Sequence, residues 1–246
     1  MAFITLKNVC VEMPVYNHKG RSLKRSLIKT ASGGAIKRKE GGILIRALQH
    51  VTLNIQAGDR VGLIGHNGAG KSTLLRVIGG IYEPVLGSVS SSGSITAMFD
   101  PNIGISPQAT GYQNIYTRGI LLGYDKPQID ALIKDVEASS GLGEYLDMPV
   151  RTYSAGMKLR LAFCVATAVS PEILLLDEAI LAGDEAFMKL AKKRLASLIE
   201  EASILVLASH SQKILKAFCN KGVILDKGVV VYYGDIEAAL SKYSNN

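Results

Sequence analysis

The chain has 246 residues, of which 48% are hydrophobic; that is enough to bury a sizeable core and excludes an intrinsically disordered protein. Its formal charge is +7, yet residues 17–46 hold nine Lys/Arg against one acid, Glu40, and carry +8, while the remainder sums to −1, which excludes a broad nucleic-acid surface. Three scattered cysteines, Cys10, Cys164 and Cys219, form no CxxC and exclude a disulfide framework or a zinc site, so they read as small buried apolar residues.

Residues 3–12 predict a strand, with Phe3, Leu6 and Val9 among polar neighbours. From Asn17 to Gly42, glycines, serines and bases predict a long insertion with a short helix near Leu23, Leu27 and Ile28. Ala47–Ile55 predicts a strand, Ala57-Gly58-Asp59 a turn, and Arg60–Ile64 a short buried strand. Thr73–Ile78 predicts an amphipathic helix, and Gly87–Phe99 a hairpin-like strand pair. The pattern turns helical from Tyr112 to about Tyr145 and is broken by Asp147-Met148-Pro149. Lys158–Ser170 predicts a helix, Ile173–Leu176 a strand, Phe187–Glu201 a helix and Ile204–Ser209 a strand. Val223–Tyr233 predicts a strand pair about Lys227-Gly228, and Asp235–Tyr243 a last short helix. Helices alternating with apolar strands imply an α/β fold with a mainly parallel sheet covered on both faces. The longest apolar run, Leu161–Val169, is far short of the roughly 18–20 residues that span a bilayer. The N-terminus lacks a charged region and a cleavage site, so the expected location is the cytoplasm.

The decisive motif lies between the fourth predicted element and its helix. Gly65-His66-Asn67-Gly68-Ala69-Gly70-Lys71-Ser72 matches GxxxxGK[ST] in full, in a strand–loop–helix setting. The glycines let successive N–H groups wrap around phosphates, and the following helix, from Thr73 on, adds its positive end. Lys71 is expected to reach the β- and γ-phosphates of ATP, and the Ser72 hydroxyl to sit on Mg²⁺. A second motif, Ile173-Leu174-Leu175-Leu176-Asp177-Glu178, puts two acids at the C-terminal end of a buried strand, where ligands of α/β sheets bind. Asp177 is expected to hold Mg²⁺, and Glu178 to orient or deprotonate the attacking water. At Tyr153-Ser154-Ala155-Gly156-Met157, small residues open an apolar helix and suit an anion; an ordinary N-cap by Ser154 is the alternative.

The order of these motifs, closed by a histidine after a strand (Val206-Leu207-Ala208-Ser209-His210), resembles the ATP-binding cassette family from about residue 47 to 233. The resemblance implies a P-loop NTPase core with an antiparallel β subdomain and a helical subdomain at 112–150, one domain over 1–246. It also implies a homodimer in which the signature turn of one subunit, here Ser154, Ala155, Gly156 and Met157, caps the γ-phosphate held by the other's P-loop. Tyr153, Ala155 and Met157 depart from the family's LSGGQ. Asp184 matches the D-loop aspartate, and His210 the switch histidine that contacts the γ-phosphate. Asp100 stands where the Q-loop glutamine is expected, and Gln108 comes too late in the loop to replace it. Tyr16, after Pro14-Val15, is in place to stack on adenine; a core or loop tyrosine is the alternative.

The combination of PVYN near the start, a basic insertion, GHNGAGKSTLLR, RTYSAGMKLRLAF, LLLDE and VLASHS is similar to the ATPase subunit of bacterial polysaccharide exporters, with the O-antigen branch as the nearest likeness. That implies an ATP-hydrolysing subunit on the cytoplasmic face of the inner membrane. Its partners would be an integral-membrane permease dimer and, through it, a lipid-linked polysaccharide, with no nucleic acid. The C-terminal carbohydrate-binding domain of some members is not expected. A soluble cassette scaffold, as in iron–sulfur assembly, would not fractionate with membranes. An importer ATPase would keep the glutamine and a closer LSGGQ. The basic segment either faces anionic groups at the membrane or is a solvated loop.

Overall fold

The computed structural model describes residues 1–15, 35–39, 42–98, 105–177 and 185–244. The chain divides into two compact units. In chain order, the elements begin with β1 (Phe3–Val15), β2 (Ala35–Lys39), β3 (Gly42–Gln56), β4 (Arg60–Ile64), α1 (Lys71–Ile78), β5 (Leu86–Ser92) and β6 (Ile95–Met98). There follow α2 (Gly111–Leu121), α3 (Lys126–Ser140), two short 3₁₀ turns, α4 (Ala155–Thr167), β7 (Ile173–Asp177) and α5 (Glu185–Glu201). The last are β8 (Ile204–Ala208), α6 (Gln212–Phe218), β9 (Lys221–Asp226), β10 (Val229–Asp235) and α7 (Ile236–Ser244).

The first unit comprises Met1–Ile95, Glu172–Glu178 and Ser203–Asn246. Its parallel strands run in the order β9-β4-β8-β7, with β10 antiparallel on the outer side of β9. Every residue of β8, Val61–Ile64 of β4 and Ile173–Leu176 of β7 are buried, without the alternation of a one-sided strand. Such runs need cover on both faces, as the sequence pattern predicted. An antiparallel sheet of order β2-β3-β1-β5 completes the unit. Ile4 and Leu6 from β1 and Leu53 and Ile55 from β3 are buried on its inner face. The β1–β3 register slips between Leu6 and Glu12, a stretch in which Asn8 and His50 take positive φ of 54° and 51°. An irregularity of this kind bends the sheet locally.

Three elements differ from expectation. Residues 35–39 and 42–46, expected inside an insertion, are paired strands, with Ile36 opposite Ile45 and Lys39 opposite Gly42. Backbone hydrogen bonds make that strand pair whatever the side-chain pattern. The hairpin expected over 87–99 is not formed by its described residues, 87–98: β5 pairs with β1, Phe3 opposite Ser92, and β6 lies outside that sheet. The Ser94 carbonyl accepts the Ile173 N–H at 2.9 Å, which takes the chain away from β5. Helix α6 was not anticipated; it has seven residues and only Leu215 is buried. The helix expected near Leu23–Ile28 lies outside the described residues.

The second unit comprises Thr96–Pro171 and Ala179–Ala202, so it takes in the expected helical region at 112–150 and more besides. Helix α2 starts at a capping box: Gln113 N–H donates to Thr110 Oγ1 at 3.1 Å, and Thr110 N–H to Gln113 Oε1 at 2.9 Å. Helix α3 repeats the device with Asp125 and Gln128. Thr110→Ala is expected to cost about 1 kcal/mol, read as a lower urea midpoint at unchanged slope. Phe163 of α4 and Phe187 of α5 meet edge to face at 5.6 Å, and Arg194 of α5 pairs with Asp135 of α3. No helix among the described residues is long and apolar enough to cross a membrane.

Candidate functional site

Strand β4 delivers the chain to Gly65 at the C-terminal end of the parallel sheet, and α1 begins six residues later at Lys71. Gly70 sits at the N-cap with φ 110° and supplies no side-chain cap. The amide groups of the first turn are therefore not claimed by a capping side chain, and they suit an anion. A cavity opens here, lined by Ile45 and Ala47 of β3, Asn67 to Thr73 of the loop and α1, Asp177 of β7, Ala208 at the end of β8, and Ser209 and His210 after it.

The two sequence motifs meet in this cavity. Ser72 Oγ donates to Asp177 Oδ2 at 2.9 Å across 105 residues of sequence. Lys71, 8% exposed, donates from Nζ to the Gly65 carbonyl at 2.5 Å and the His66 carbonyl at 3.1 Å. These carbonyls fix the position of the ammonium at the mouth of the loop, where a cation suits an anionic ligand. A hydroxyl and a carboxylate in contact are hard oxygen donors, the set that suits Mg²⁺ bound between few protein ligands and substrate phosphates. His210 lines the same cavity. One cavity thus brings together loop amides suited to an anion, a fixed cation and a candidate metal pair.

Sequence reasoning missed what supports the loop from behind. The turn Asp226-Lys227-Gly228, between β9 and β10, holds it through Gly228 and Asp226 and is itself tied to β3 through Gln49. Gly228 N–H donates to the Ala69 carbonyl at 2.9 Å, and Gln49 N–H to the Gly228 carbonyl at 2.8 Å. Gln49 Nε2 donates to the Lys227 carbonyl at 2.9 Å. His66 lies between the Asn67 carbonyl, 2.7 Å from Nδ1, and Asp226 Oδ1, 3.0 Å from Nε2. These acceptors, the Asn67 carbonyl foremost, raise the His66 pKa above the ordinary histidine value. No local pattern signals a partner 160 residues away.

Ser154, Ala155, Gly156 and Met157 stand together in the second unit, where α4 begins. Ser154 does act as the N-cap: its Oγ accepts the Met157 N–H at 3.3 Å. Ser154, Ala155 and Gly156 are nevertheless exposed. Tyr153 is buried beneath them, its hydroxyl donating to the Tyr145 carbonyl at 2.5 Å. Tyr16, Asp100, Glu178 and Asp184 lie outside the described residues, as does most of the basic segment. Cys164 and Cys219 are buried, and burial pushes the Cys219 thiol up to about 12. Cys10, expected to be a small buried residue, is half-buried, and its Sγ accepts the His50 N–H at 3.2 Å.

The family model described as ABC transporter matches residues 48–181. The O-antigen export system ATP-binding protein RfbE of Yersinia enterocolitica is 41% identical over 94% of this chain and 97% of its own length. RfbB of Myxococcus xanthus, also named for O-antigen export, is 40% identical over 81% of this chain, but only 46% of its own length is matched. The teichoic acids export protein TagH of Bacillus cereus is 31% identical over 98% of this chain and 42% of its own length. Among solved structures, a dimeric post-hydrolysis state of the ATP-binding cassette MJ0796, bound to ADP and Pi, superposes at a TM-score of 0.65 with 21% identity, over 95% of this chain and 98% of that one. An ATP-binding subunit of an ABC transporter reaches 0.70 with 20% identity, over 98% of this chain and 93% of that one. At these identities the structural likeness concerns the fold.

Proposed function

The chain belongs to the ABC transporter family, and from that premise we propose that it is the ATP-hydrolysing subunit of a polysaccharide exporter, working as a homodimer beneath a separate permease. The observation that carries this reading is the Ser72–Asp177 contact beside Lys71 in one cavity. Amides of residues 65–72 and the Lys71 ammonium bind the β- and γ-phosphates, and His210 approaches the γ-phosphate from the end of β8. Mg²⁺ held by Ser72 and Asp177 would neutralise charge on the transferred phosphoryl group. Glu178, one residue past Asp177, orients the attacking water, and Tyr16 stacks on the adenine. The exposed Ser154–Met157 turn of one subunit closes on the nucleotide of the other, with Asp184 at the joint. Asp100 occupies the position of the family's glutamine on the way to the permease. The cargo is a lipid-linked, O-antigen-like polysaccharide, in keeping with the names of the relatives that match most of this chain. The subunit is placed peripherally on the cytoplasmic face of the inner membrane.

Two substitutions test the sandwich. Glu178→Gln is expected to bind Mg·ATP, turn it over at least about 100-fold more slowly, and accumulate as an ATP-dependent dimer in gel filtration. Ser154→Arg is expected to abolish ATPase while the monomer's affinity for nucleotide stays within about threefold. Collapse of monomer affinity in Ser154→Arg would place that turn in the same subunit's pocket. Export itself is read by reconstituting the wild-type chain with the neighbouring permease in vesicles and following a lipid-linked glycan; no ATP-dependent movement would sink the cargo assignment.

A further inference from the structure

The His66 ring has an oxygen acceptor at each nitrogen: the Asn67 carbonyl at 2.7 Å and the Asp226 carboxylate at 3.0 Å. A neutral imidazole carries a single N–H and would turn a lone pair toward one of these oxygens; only the imidazolium donates to both. The ring does not line the nucleotide cavity, whereas its own backbone carbonyl holds Lys71 Nζ. We propose that His66 is a positioning residue whose protonated ring clamps the phosphate loop to the β9–β10 turn, so that nucleotide affinity depends on the charge state of this one side chain. The inference rests on the nucleotide-binding reading above.

The charged groups acting on the ring are Asp226 from the turn, which favours its protonation, and Lys71 at the start of α1, which opposes it. Lys227 follows Asp226 in the same turn. The acceptors outweigh partial burial and the Lys71 charge, so the ring holds its proton to higher pH than an ordinary histidine. The sign follows directly. Below the raised pKa both ring bonds are present, the one to Asn67 holding the ring within the loop and the one to Asp226 tying it to the turn, and affinity is greatest. As pH rises through that value, one bond is lost and affinity falls. Side chains 44% and 51% exposed limit the effect, and about a three- to tenfold change in affinity is expected.

The test is calorimetric titration of the purified full chain with Mg²⁺ and a non-hydrolysable ATP analogue between pH 5.5 and 8.5. Wild type should bind about three- to tenfold more weakly at the upper end. His66→Arg, a permanent cation with a forked donor, should remain tight throughout and control for ionisation of the nucleotide. His66→Gln should be weak at all pH values, and Asp226→Asn should move the wild-type transition to lower pH. Identical profiles for wild type and His66→Arg would overturn the clamp while leaving nucleotide binding intact. Absence of binding by wild type at every pH would instead overturn the nucleotide reading. Should His66→Gln fail to fold, the comparison among wild type, His66→Arg and Asp226→Asn still decides.

Discussion

Lys71→Ala is expected to leave a folded chain that hydrolyses ATP at least about 100- to 1,000-fold more slowly than wild type. Lys71 is 8% exposed, and its ammonium is held by two backbone carbonyls inside the cavity that contains Ser72 and Asp177. A charge fixed in this way stabilises developing phosphoryl charge without reorganising, which is why its loss falls chiefly on the chemical step. Two carbonyl acceptors lose their donor, so a stability penalty of about 1–3 kcal/mol accompanies the kinetic loss. Steady-state ATPase of the permease complex, with nucleotide titration of the isolated subunit, separates the two effects. Turnover within threefold of wild type would remove Lys71 from the reaction.

Gly70→Ala is expected to damage stability and nucleotide binding together. Its φ of +110° is a conformation that L-residues rarely adopt. An added Cβ would lie 2.8 Å from the Ala47 carbonyl oxygen and 3.1 Å from Leu48 Cδ2. The first of these is backbone of β3, which is held by its pairing with β1, so it has little room to give. A cost of about 2–3 kcal/mol follows, or a drop in melting temperature of roughly 5–10 °C for a chain of this size. Relief of the clash moves the loop off β3 and misaims the amides that precede α1, so ATP affinity should fall by at least tenfold. Differential scanning fluorimetry with and without Mg·ATP reads both. A mutant that melts like wild type and keeps its ligand-induced shift would show that the loop tolerates the displacement.

The phosphate loop was legible because its signal is local: five strand residues, a fixed spacing and a helix follow one another within 20 positions. The acid at the end of β7 was legible for the same reason, since Ile173–Leu176 is apolar without a break. The failures have physical causes. β5 contains Ser88 and Ser90–Ser92 and presents no apolar face, so its pairing with β1 is set by backbone hydrogen bonds rather than by pattern. β2 reads as loop because Lys37-Arg38-Lys39 sits among glycines, yet main-chain pairing with β3 needs no hydrophobic period. Helix α6 buries only Leu215, too little for a period to show. The support behind the phosphate loop is tertiary in origin: Asp226 and Gly228 lie about 160 residues from the loop they hold.

That long separation has a kinetic consequence. β4 is flanked by β8 and β9, with Arg60 opposite Leu205 and Val61 opposite Lys221. Closing loops of this length is entropically slow, and no reward arrives until the distant strands exist. During synthesis, β1, β3 and β5 can pair early, whereas a nascent chain ending near residue 200 still exposes the apolar edges of β4 and β7. Its phosphate loop also lacks the turn that shapes it. Nucleotide therefore cannot assist folding of the growing chain. It acts on the finished chain, where binding stabilises the last-formed contacts by mass action. The interval before β9 emerges is when this sequence is most exposed to aggregation and most in need of a chaperone.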